Sequence, residues 1–177
     1  MDFPKKFKGL SKNVFEKVDY KDVMDMFADL KSGIVIMGNI KDKYTCAILE
    51  ILNKTAIKRN VDTIYFYDGS YENKLGSKED VRSCLTLESK MDYYSLVEKI
   101  GFKSDTLVKD TLIPKIEYPL IFGIKYGAIT GILNPRYAKW MHQVFIPGEK
   151  EDMTIDLVSE LIDLIQKTDV SEDHLIK

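Results

Sequence analysis

Gly33-Ile34-Val35-Ile36-Met37-Gly38 is a short, unbroken apolar run held between two glycines, the pattern of a strand buried on both faces. The next residues, Gly38 to Thr45, are polar and predict a loop. From Cys46 to about Arg59 the apolar spacing becomes helical, with Leu49, Leu52 and Ala56 on one stripe and Ile48 and Ile51 beside it. Thr63-Ile64-Tyr65-Phe66-Tyr67 is β-branched and aromatic and stops at the turn pair Asp68-Gly69, so a second strand is expected there. Two strands joined through a helix of that length pair in parallel. The loop after the first strand then lies at the carboxyl edge of the sheet, where α/β folds place most of their chemistry.

The remaining elements extend this unit. Asp19 to Lys31 carries Val23, Met26, Phe27 and Leu30 at helical spacing. Met91 to Ile100 does the same with Tyr93, Leu96, Val97 and Ile100, and Gly101 ends it. Lys103 to Lys115 reads as an irregular approach segment. Tyr118 to Ile124, with Pro119 at its start, and Gly127 to Leu133 predict an antiparallel hairpin around Lys125-Tyr126-Gly127. Met153 to Gln166 predicts a final amphipathic helix with Ile155, Val158, Leu161, Ile162 and Ile165 on one face. Residues 1–18 read as an irregular amino-terminal extension and 69–89 as a polar insertion, with a short helix over 78–85. The whole of 1–177 is expected to form a single α/β domain: a central mixed sheet, parallel β-α-β plus antiparallel hairpin, with helices on both faces.

Bulk chemistry excludes several functions. Charged residues make up 31% of the chain and the net charge is −2, so no basic footprint for nucleic acid is present. Apolar runs are too short for membrane insertion. The basic start Met1 to Lys8 lacks the apolar core of a secretory signal. Two cysteines, Cys46 and Cys84, form no disulfide scaffold and point to a reducing, cytoplasmic setting. With only two histidines, His142 and His174, no metal pattern emerges and no cofactor is implied. Asn53-Lys54-Thr55 matches a glycosylation acceptor by chance. Tyr137, Trp140, Met141 and Phe145 read as core or as a ligand groove, with core the simpler account.

The order of elements is similar to the thioredoxin-like superfamily, and within it resembles the bacterial proteins described as bacteriocin-transport accessory proteins. Three stretches carry the resemblance: Gly33 to Gly38, Val61 to Asp68, and Ile113-Pro114-Lys115-Ile116-Glu117-Tyr118-Pro119-Leu120-Ile121-Phe122. The resemblance implies that Pro119 is the cis-proline and that the backbone of Tyr118 faces the redox site. It also implies a C-x-x-C pair, which is degraded here to Lys43-Tyr44-Thr45-Cys46. Lys43 stands where the attacking cysteine belongs. The first strand also lacks the buried acid associated with proton transfer in thioredoxins.

Two readings follow. In one, the chain is redox-inactive and binds a peptide or protein partner through Lys43, Tyr44, Thr45, Tyr118 and Pro119, as an accessory factor in peptide export or maturation. In the other, it is a monothiol thiol-disulfide oxidoreductase in which Cys46 is catalytic, its thiol activated by a helix end and by Lys41 and Lys43. The competing account of Cys46 is a small buried side chain. A nucleotide-binding doubly wound sheet is disfavoured by the hairpin and by the absence of a glycine-rich turn.

Overall fold

Alternation along the central strand separates the core into two halves. In a computed structural model describing residues 13–70, 87–105, 107–108, 112–135 and 151–168, the strand spans Gly33–Gly38 and every residue in it is buried. (The side chains of Lys43, 87–90 and 151–157 are not described.) Ile34 and Ile36 point to one side, Val35 and Met37 to the other. In chain order the elements are β1 (Phe15–Val18), α1 (Tyr20–Ala28), β2 (Gly33–Gly38), α2 (Lys43–Lys58), β3 (Ile64–Asp68), α3 (Leu87–Ile100), β4 (Leu120–Lys125), β5 (Ala128–Leu133) and α4 (Glu151–Thr168). The sheet order is β1-β3-β2-β4-β5. β1 and β2 run parallel to β3, while β4 is antiparallel to β2 and to β5.

The first face of the sheet packs against α2, through Ile48, Leu49, Leu52 and Ala56, and against α4, through Leu161, Leu164 and Ile165. The second face packs against α1, through Tyr20, Val23, Met26 and Phe27, and against α3, through Tyr93, Leu96, Val97 and Ile100. A five-stranded mixed sheet in this order, with two helices on each face, is the thioredoxin-like fold.

Three boundaries depart from the sequence reading. The segment read as an irregular extension contains β1, which pairs with β3 in the register Phe15↔Ile64 to Val18↔Tyr67. Its charged Glu16 and Lys17 concealed it, and such residues are common on an edge strand. The same segment is anchored by fully buried Asn53 of α2, whose Oδ1 accepts the Val14 N–H at 3.1 Å. Burial of Asn53 inside a helix also removes it as a glycosylation acceptor. α2 starts at Lys43 rather than Cys46, because Asp42 caps it: the carboxylate accepts the Thr45 N–H at 3.0 Å. α3 starts at Leu87, inside the stretch read as an insertion.

The hairpin turn has two central residues, Tyr126 and Gly127, both left-handed at φ 50° and 73°, as a type I′ turn requires. A register shift between Gly123 and Ile124 opposes Gly123 to Gly131 and Ile124 to Ile129, leaving Thr130 as an extra residue in β5. Thr130 Oγ1 lies 2.9 Å from Thr168 Oγ1, which donates to Leu164 O at 2.7 Å, so the bulge ties β5 to the end of α4. The helix expected over 78–85, Cys84, His142, His174 and the cluster at Tyr137, Trp140, Met141 and Phe145 lie outside the described residues.

Candidate functional site

Parallel β2 and β3 both end at one edge of the sheet, and antiparallel β4 begins there, with Met37 opposite Leu120. This register brings the loop after β2, the amino end of α2, the end of β3 and the Tyr118-Pro119 approach together. The Tyr118–Pro119 peptide bond is cis. Pro119 is buried and Tyr118 half-buried. The Tyr118 ring lies over Gly69, where a Cβ would collide with it, and its centroid is 6.5 Å from that of Tyr67. Glycine at position 69 leaves the Tyr118 ring its place, and a larger residue there would displace that ring.

The approach segment is held from below. Tyr93, 1% exposed, accepts the Ile116 N–H at 2.8 Å and donates to Pro114 O at 3.1 Å. One hydroxyl on α3 therefore sets two backbone groups just ahead of Tyr118.

The loop after β2 closes on itself. Asp42 N donates to Asn39 O at 2.9 Å, and Asn39 Oδ1 accepts from Lys41 N at 2.8 Å. Thr45 is fully buried; its hydroxyl accepts from Asn39 N at 3.2 Å and donates to Asp42 Oδ2 at 3.2 Å. Its methyl group fills the space beside Gly38 where a Cβ would have to go. Asp68, at the end of β3, accepts from Ile40 N at 3.4 Å and Ser70 N at 2.9 Å, and from Ser70 Oγ at 2.9 Å. The loop is thus bonded both to α2 and to the neighbouring strand.

Cys46 is the fourth helical residue of α2, not the first. Its amide already bonds to Asp42 O at 3.1 Å, so it adds no open donor to a helix end. The side chain is 5% exposed, and the thiol donates to Ile40 O at 3.1 Å. The first helical position, the one next to the sheet edge, belongs to Lys43.

The expected binding residues therefore divide. Tyr44 and Tyr118 are half-buried and remain at the surface of this edge. Lys43 is placed there by its backbone. Thr45 and Pro119 are buried, so they shape the edge from inside and leave contact to their neighbours. The sequence reading overlooked Asn39, Asp42 and Asp68, which set the loop. Asp42 was detectable as a good cap three residues before Thr45. The Asp68 to Ile40 bond joins residues 28 positions apart and left no local signal. Among the described residues, no three His, Cys, Asp or Glu side chains gather to hold a metal. Among the same residues, no helix is long and apolar enough to cross a membrane.

No protein-family model matches the chain, and no curated protein matches it. Among solved structures, the chain is similar to a protein of thioredoxin fold assigned provisionally to the oxidoreductases. The two are 10% identical over 84% of this chain and 94% of that one, with a TM-score of 0.46.

Proposed function

We propose that this chain is a redox-inactive thioredoxin-like protein that binds an extended peptide or a partner protein at the edge bearing Tyr118. The observation that carries the proposal is the placement of Cys46: buried, its sulfur 3.1 Å from Ile40 O, and preceded at the helix start by a lysine. A redox thiol needs an exposed sulfur that can attack as thiolate. The edge presents half-buried Ile40, Tyr44, Glu117 and Tyr118 and exposed Lys41. A role in peptide export or maturation rests on the sequence resemblance, and a cytoplasmic setting rests on the two cysteines.

Amide chemical shifts test the binding half of the proposal, with a permanently unfolded, carboxymethylated protein as the extended-chain probe. Shifts that move at residues 38–41, 68–70 and 116–118 support it. Unchanged shifts there at saturating probe count against it. For the redox half, insulin reduction by the wild type should equal that of Cys46→Ser, at the uncatalysed rate. Activity that disappears in Cys46→Ser would instead establish the monothiol oxidoreductase.

A further inference from the structure

Tyr118, at the candidate edge, is tied to one buried side chain by two separate routes. The first runs through the backbone. Tyr93 of α3 accepts the Ile116 N–H at 2.8 Å and donates to Pro114 O at 3.1 Å. Ile116 is itself buried, so the chain leaves a fixed point just before it reaches Tyr118. The second route runs through rings. The Tyr93 ring meets Tyr20 of α1 edge to face, with centroids 5.6 Å apart. Tyr20 lies 4.3 Å from Tyr67 of β3, and Tyr67 lies 6.5 Å from Tyr118. Separations of this order are those of aromatic pairs in contact.

The two routes close a circuit. It passes from α3 to α1, to β3 and to Tyr118, then back along the chain to the Tyr93 hydroxyl. Tyr20, Tyr67 and Tyr93 are all buried, so the intermediate rings are fixed members of the core. Core packing alone does not call for the hydroxyl. Phenylalanine would fill the same space at 93, and a buried hydroxyl is costly unless it is bonded. Both bonds of this one go to the segment that leads into Tyr118.

We infer that Tyr93 is a positioning residue for the partner-binding edge. Its hydroxyl sets the backbone ahead of Tyr118, and its ring, through Tyr20 and Tyr67, sets the Tyr118 ring. At 1% exposure Tyr93 lies too deep to touch a partner. The inference rests on the reading of that edge as a binding site, and adds that the edge is ordered before the partner arrives. A side chain ordered in advance spares the binding step the cost of ordering it.

Two substitutions cut one route each: Tyr93→Phe removes the hydroxyl and keeps the ring, and Tyr20→Leu removes a ring and keeps the hydroxyl. Asn53→Ala is the control, since it frees Val14 N near the Ile64 end of β3, away from Tyr118. Side-chain scalar couplings of Tyr118 are read in each free protein, and affinity is read with the unfolded, carboxymethylated probe. Wild type and Asn53→Ala should hold one Tyr118 rotamer and bind alike. Tyr93→Phe and Tyr20→Leu should average the rotamers and bind roughly 2- to 10-fold more weakly, the cost of ordering one side chain. A single Tyr118 rotamer in both variants, or affinities equal to the control, overturns the inference. A wild type that ignores the probe defeats the peptide-binding reading instead, and the rotamers in the free proteins still decide whether Tyr93 positions that ring.

Discussion

Replacing Tyr93 by Phe removes one hydroxyl but two backbone contacts, to Pro114 and Ile116. Loss of that buried pair should lower unfolding free energy by about 1–3 kcal/mol in urea denaturation. Because the contacts lie just ahead of Tyr118, the amide shifts of 114–118 should move with it. Gly123→Ala fails for a different reason. A Cβ there runs into the hydroxyls of buried Thr168 and half-buried Thr130 and comes within 3.2 Å of buried Leu164 Cδ1. Overpacking of this kind should cost about 1–3 kcal/mol, read in the same denaturation experiment. Leu30→Gly should act in the opposite direction, gaining up to about 1 kcal/mol as the left-handed position, at φ 54°, is relieved. Single residues of these kinds were poorly legible in the sequence. Tyr93 read only as one apolar position of a helix, and nothing local tells a glycine that leaves room for two threonines from one that ends a strand.

Helices and strands were far more legible where one buried stripe ran their whole length. α1, the core of α2, α3 and α4 follow the 3.6-residue period, and β2, β3 and β4 follow unbroken apolar or β-branched runs. The reading slipped where an element begins with polar residues. Lys43, Tyr44 and Thr45 look like loop, yet Asp42 caps them into α2. Asp42→Ala should lower stability by about 1 kcal/mol and, by loosening the turn that covers the sulfur, speed thiol labelling of Cys46. β1 was hidden because two of its four residues are charged, and its place in the sheet depends on a partner dozens of residues away. Asn53→Ala removes the acceptor for Val14 N. Hydrogen exchange at the β1 amides should then quicken by roughly tenfold or more while β4 stays protected, since local opening follows local contacts.

Across the whole molecule, β2 serves both halves of the core: Ile34 and Ile36 belong to one apolar cluster, Val35 and Met37 to the other. The same central position sends the end of β2 into the loop that closes over Cys46. Fold and candidate edge were thus both anticipated by one apolar run and one proline-led hairpin. The reading of Cys46 as a small buried side chain holds, and what the chain order could not convey was its cover: the Ile40 carbonyl and a turn tied to Asp68. The proposed redox-inactive role rests on the burial of Cys46. The most direct measurement is the rate at which an aromatic disulfide reagent modifies Cys46 in a Cys84→Ser background, from pH 6 to 8, in native protein and in guanidinium chloride. The account predicts native labelling at least about a hundredfold slower than in the unfolded chain, limited by opening of the structure. Rapid stoichiometric labelling of the native protein near pH 6 would contradict it, for it would mean an exposed thiolate at the start of α2.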